Sequence, residues 1–180
     1  MPYTDLLRLT VFLAAGEATV LAAITVLAAG RDDDTTTVIV ALAWWTVALV
    51  IGLRLGAPER AADGVRDVLA RARTATSLSL DSEARLAIGR LWPIAVSTLI
   101  AGGLGLFFPG VAAIGAGWAM LVALAWRTRE AAVLGVEDRD GVRFYVQPGS
   151  ALRPIELVRT PGLYSDRAPR AKPPPPPPAV

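Results

Sequence analysis

Residues 9–29 read LTVFLAAGEATVLAAITVLAA, a run that is apolar or small except for Thr10, Thr19, Thr25 and one acid, Glu17, near its centre. About 20 residues at 1.5 Å each cross a hydrocarbon layer ~30 Å thick, so the run has the length of a transmembrane helix. Three further runs of similar character follow at about residues 38–55, 91–108 and 111–126. Hydrophobic residues fill 53% of the 180 positions. Their concentration into these runs, with a mean hydropathy of +0.47, separates the chain from a soluble domain. A helix satisfies its own backbone hydrogen bonds, as lipid demands. The expected fold is an all-α integral membrane protein: four transmembrane helices in two helical hairpins within residues 1–130, followed by a small β-hairpin-containing cytoplasmic tail.

The chain has no cysteine and no histidine. That removes disulfides, thiolate nucleophiles, Cys/His zinc sites, haem ligation through histidine and the commonest general base. Its net charge is only +2, with 18 basic against 16 acidic side chains, and gives no ground for nucleic-acid binding. No catalytic motif appears, and neither a cofactor nor a metal is expected. Glu17, Asp63, Asp67, Asp81 and Glu83 form no recognisable catalytic constellation. A secretory signal is an alternative for residues 1–29, since Arg8 precedes an apolar run ending in Ala28-Ala29-Gly30. Against it, the run exceeds the usual signal core and Glu17 interrupts it where a signal is most apolar.

Arginine placement sets the orientation. Arg54, Arg60, Arg66, Arg71, Arg73, Arg85 and Arg90 fill the second connection, and Arg127 and Arg129 follow the fourth run. The first connection, Arg31 to Thr37, has one base against three acids. The positive side is cytoplasmic, which places both termini inside. The Ala, Arg, Gly and Pro bias is associated with GC-rich bacterial genomes, so the expected location is a bacterial plasma membrane. Asp32-Asp33-Asp34 invites a cation-site reading, but acids and threonines ahead of a helix cap its free N–H groups, and Asp34 to Thr36 are expected to open the second span.

Between spans two and three, Ala61, Val65, Val68, Leu69 and Ala72 recur at helical spacing, with Arg60, Asp63, Asp67 and Arg71 off the stripe. This predicts an amphipathic helix over about 58–73, lying on the inner leaflet or against the tail, or docking a partner. Thr74 to Ser79 reads as a loop, with Ser79 or Asp81 capping a helix that runs into span three; Pro93 is expected in that span's first turn. Gly102, Gly103 and Gly105 before the Pro109-Gly110 turn, and Gly115 and Gly117 after it, are expected to let the two backbones approach closely. These glycines lack the spacing of a nucleotide-binding loop. Trp92 and Trp126 fit the inner interfacial belt, whereas Trp44, Trp45 and Trp118 lie deeper and are expected to pack between helices.

In the tail, Asp140-Gly141 between Leu134–Glu137 and Val142–Val146 predicts a two-residue hairpin that sets Asp138 opposite Arg143 and Val136 opposite Tyr145. Ile155 to Val158 is expected to add a third strand, within a tail unit of residues 131–160. Residues 161–180, with Pro173 to Pro178, read as a disordered extension; a ligand for a proline-reading module is the alternative.

Counting inward from the cytoplasmic ends places Glu17, Thr46, Ser97, Thr98 and Trp118 in one layer, on the order of 12 Å below the boundary. No cation shares that depth, so Glu17 is expected protonated, donating to Thr46, Thr98 or a carbonyl. Three roles remain open: an interhelical clasp, a proton or cation site, or a contact with another subunit. The clasp leads because transporters usually carry more intramembrane polar groups or broken helices. The expected function is therefore a non-enzymatic interaction or accessory protein, partnered by the lipid bilayer and by a protein docking on the tail or amphipathic helix; a homo-oligomer is open. A small proton- or cation-linked channel or transporter centred on Glu17 is the alternative.

Overall fold

The computed structural model describes residues 1–74, 83–149 and 155–161. In chain order the elements are α1 (Tyr3–Arg31), α2 (Thr35–Leu55), α3 (Pro58–Ala70), β1 (Arg73–Thr74), α4 (Glu83–Gly105), α5 (Pro109–Trp126), α6 (Arg129–Asp140), β2 (Val142–Val146) and β3 (Leu157–Pro161). The protein is mostly helical, and four of its helices are long and apolar enough to cross a membrane. The Ser79 and Asp81 caps, most of the Thr74–Ser79 loop and the proline-rich extension fall outside the described residues.

The bundle is organised around a central pair rather than around two self-contained hairpins. Helix α5 packs along α1 and also carries α2, while α4 rests on both members of the pair; α2 leans mainly on α5 and much less on α1. Residue size explains this. Ala14, Ala18, Leu21, Thr25 and Ala28 put a narrow buried stripe on α1, and α5 answers with Ala112, Ala113, Ala116, Gly117, Ala119 and Ala123. Leu21, fully buried, is the large knob, seated among Ala112, Ala116 and Ala101. Because so few side chains intervene, the backbones come close enough for dispersion to act over the whole seam.

The turn between α1 and α2 is closed by its aspartates. Asp33 takes a left-handed conformation at φ 50°, and the N–H of Asp34 donates to the Ala29 carbonyl at 2.9 Å, closing the C-terminus of α1. Asp34 then caps α2 as expected: its Oδ1 accepts from the Thr37 N–H at 3.0 Å, and its Oδ2 from the Thr37 hydroxyl. These two bonds, the hydroxyl's first, hold the Asp34 carboxyl below its usual range. Pro93 differs from expectation. Helix α4 begins at Glu83, so the proline lies in its interior and deprives the Gly89 carbonyl of a helical donor.

At the end of the bundle that holds the start of α1 and the end of α5, a second core forms. Tyr3, Leu6 and Leu7 of α1, Val65 and Leu69 of α3, Leu91 of α4, Val133 of α6, and Val142, Phe144, Val146 and Leu157 of the strands pack together. The expected amphipathic stripe is there, with Ala61, Val65 and Leu69 buried, and it faces α6 and this core. The helix is shorter than 58–73: Arg71 caps it and Arg73 enters a strand.

The predicted hairpin is wrong. Residues 134–137, together with Asp138, belong to α6, and Gly141, at φ 62°, is the left-handed residue that ends that helix. β2 pairs instead with β3, antiparallel, placing Arg143 opposite Thr160 and Tyr145 opposite Val158. β1, from before α4, joins β3 in parallel, giving the order β1-β3-β2. The other edge of β2 is occupied too. The Val146 N–H donates to the Met1 carbonyl at 3.1 Å, and the Phe144 N–H to Glu137 Oε1 at 3.0 Å. The strands that follow residue 131 thus close on Met1 and Pro2, just ahead of α1, and on β1.

Candidate functional site

Within the apolar layer, Glu17 lies half-buried on the side of α1 that meets α4. Its Oε1 is 3.3 Å from the Ser97 hydroxyl, and Ser97 also donates to the Ile94 carbonyl at 2.8 Å. A serine hydroxyl has a single proton. That proton is shared between the Ile94 carbonyl and Glu17 Oε1, the shorter contact being to Ile94, so Ser97 links α4 to α1 through a weak hydrogen bond to the carboxyl.

The rest of the expected layer does not converge. Thr46 is exposed and donates to the Leu42 carbonyl at 2.8 Å, and Thr98 donates to Ile94 at 2.8 Å, so neither hydroxyl serves Glu17. Threonine in a helix can reach the carbonyl four residues back, and here that local bond wins. Trp118 is 57% exposed and points away from the bundle, not between helices. The α5 faces marked by Ala112, Ala116 and Ala119 turn it outward.

Trp44 and Trp45 do pack between helices. Their indole N–H groups donate to adjacent carbonyls of α5, Trp44 to Ile114 at 3.4 Å and Trp45 to Ala113 at 2.9 Å. This ties α2 to α5 by groups that lipid cannot satisfy. A side chain at Gly117 would collide with the Trp44 ring, so the small residue admits the indole. Gly105 lies against Ala112, where an added Cβ would come within 2.5 Å of the Ala112 Cβ; Gly115 faces Leu21 and Gly102 faces Ile24. Gly103 faces open space and takes no part in the contact. Sequence reading missed Gly52 and Gly56, which admit Leu124 of α5 to α2. The small residues Gly52-x-x-x-Gly56 were the available signal.

At the cap, Glu137 joins α6 to β2 through the Phe144 N–H, and burial pushes its carboxyl above the usual range, with that hydrogen bond and Arg143 pulling the other way. The Arg129 guanidinium lies 4.4 Å from the centroid of the Trp126 ring, and Arg8 approaches Glu130 at 3.7 Å on the surface. Among the described residues no cluster of three or more carboxylates suited to a metal ion occurs, and the three aspartates serve the α1–α2 turn. Comparison with protein-family models, with curated proteins and with solved structures finds no match.

Proposed function

We propose that this is a four-span protein of a bacterial plasma membrane, with both termini cytoplasmic, that acts without catalysis as an accessory protein presenting a folded docking face. The observation that carries this reading is the cap. Three elements distant in sequence, α3, α6 and the strand pair, share one core with the start of α1, so the arginine-rich end of the bundle is a built surface. The outer side of α3 offers exposed Arg66 and Asp67 to a partner. The same end gathers Arg54, Arg60 and Arg127, whereas the opposite turn carries Arg31 against Asp32, Asp33 and Asp34, a distribution that favours the cap in the cytoplasm.

The transport alternative rests on the contact between Glu17 and Ser97. The central seam gives it little support, because the hydroxyls of Thr10 and Thr25, both buried there, bond to carbonyls of their own helix rather than forming a polar path. Two measurements test the proposal together. The purified chain reconstituted in liposomes is expected to pass protons no faster than protein-free liposomes. The double variant Arg66→Ala, Asp67→Ala is expected to keep the fold and lose co-purifying proteins. A proton flux that disappears in Glu17→Gln would overturn the accessory role in favour of transport.

A further inference from the structure

Several arginines at the arginine-rich end of the bundle have carboxylates beside them. Arg8 approaches Glu130 at 3.7 Å, Arg66 approaches Asp63 at 3.4 Å, and Arg139 approaches Asp140 at 2.9 Å. Arg129 is different. It is half-buried, makes no hydrogen bond or ion pair with the described residues, and its Nε is buried without an acceptor. What holds its guanidinium is the Trp126 ring, whose centroid lies 4.4 Å from Cζ. Stacking on an aromatic face orients the planar group and restricts its side chain, but it brings no counter-charge.

The place of this stacked pair is the second observation. Trp126 is the last residue of α5 and packs against the core of the cap. The contact between Arg8 and Glu130 sets the first turn of α6 level with the foot of α1, just ahead of the apolar run that starts at Leu9. Arg129 therefore lies where hydrocarbon gives way to headgroups. The Thr128 hydroxyl donates to the Gly56 carbonyl at 2.9 Å, which lays the α5–α6 link against the end of α2. Arg54, two residues before Gly56, and Arg127 are both exposed and have no ion pair among the described residues. Three cations without a carboxylate thus gather where α2, α5 and α6 meet.

The missing partner is an anion at headgroup depth. A guanidinium offers N–H groups in a flat fork that matches the oxygens of a phosphate. Phospholipids present phosphodiesters at this level, and the cytoplasmic leaflet carries the negative lipids. Glu130, the carboxylate next in sequence, turns to Arg8 instead. We propose that Arg129, held on Trp126, binds the phosphate of an anionic phospholipid, with Arg54 and Arg127 supplying positive field around it. The bound headgroup would then brace the joint between the spans and the cap. The inference rests on membrane insertion with this end in the cytoplasm, and is separate from protein docking on α3.

The test melts the full chain in a neutral detergent against rising short-chain phosphatidylglycerol, short-chain phosphatidylcholine, or inorganic phosphate alone. Phosphatidylglycerol is expected to raise the melting temperature, and the other two to leave it unchanged. The lipid concentration at half-effect should rise about tenfold in Arg129→Gln, the loss of one charge-assisted contact. Arg139→Gln removes an equal charge at the other end of α6 and should behave as the parent. Arg129→Lys keeps the charge without the fork and should fall between them, which carries the test if Arg129→Gln does not fold. Equal shifts from the two lipids, an equal shift from inorganic phosphate, or equal losses in Arg129→Gln and Arg139→Gln would overturn the lipid site. Alkaline carbonate extraction of native membranes separates the premises. Release of the chain would sink the membrane reading and this inference with it, whereas retention without a phosphatidylglycerol effect sinks the lipid site alone.

Discussion

At the scale of single residues, size decides more than polarity. Gly103 and Gly105 are two positions apart on one helix, yet the first faces open space and the second meets Ala112. Replacing a helical glycine with alanine favours the helix by up to about 1 kcal/mol where nothing obstructs it. Gly103→Ala should therefore leave thermal stability in detergent unchanged or slightly raised. Gly105→Ala should lower it by about 1–3 kcal/mol, the usual cost of overpacking; equal effects would contradict the seam described here. The sequence announced the small residues as a group and could not assign them to faces, because clustered glycines point around the whole helix. Glu17 was legible as the costly residue, but its partner was not. Thr98 and Ser97 are adjacent, and only the packing of α4 on α1 turns the serine toward the carboxyl.

Among elements, the apolar helices were legible because length and composition specify them without reference to neighbours, and the stripe on α3 because period and burial coincide. The misread element was α6. Asp140-Gly141 suits a hairpin turn, but a left-handed glycine also ends a helix, and Arg129 to Asp140 is rich in helix formers with Val133 and Val136 on one side. The choice was made by the pairing of β2 with β3, a partner further along the chain that no local pattern encodes. Glu137 belongs to this joint, and its raised carboxyl gives a signed prediction. A group with a raised folded-state pKa adds stability below its ordinary range and loses it as pH rises through the folded value. Glutamine keeps an acceptor for Phe144 without the charge. Glu137→Gln should melt higher than the parent at neutral pH, the difference closing as acid protonates Glu137; a gap that widens on acidification would contradict this.

For the whole molecule, the outward surface is the telling property. Phe12, Leu27, Ile88 and Leu99 are each at least 66% exposed along helices that also bury a seam. A soluble monomer does not carry apolar faces of that extent, which fits a bundle whose solvent is lipid. The central claim is that the arginine-rich cap and the aspartate turn lie on opposite sides of a bilayer. Asp33→Cys, Arg66→Cys and Arg127→Cys, each alone in the otherwise cysteine-free chain, can be probed in spheroplasts with a membrane-impermeant maleimide. Labelling at position 33 from outside, and at 66 and 127 only after permeabilisation, is the predicted result; labelling that places 66 and 127 on opposite faces, or all three in a soluble fraction, would contradict it.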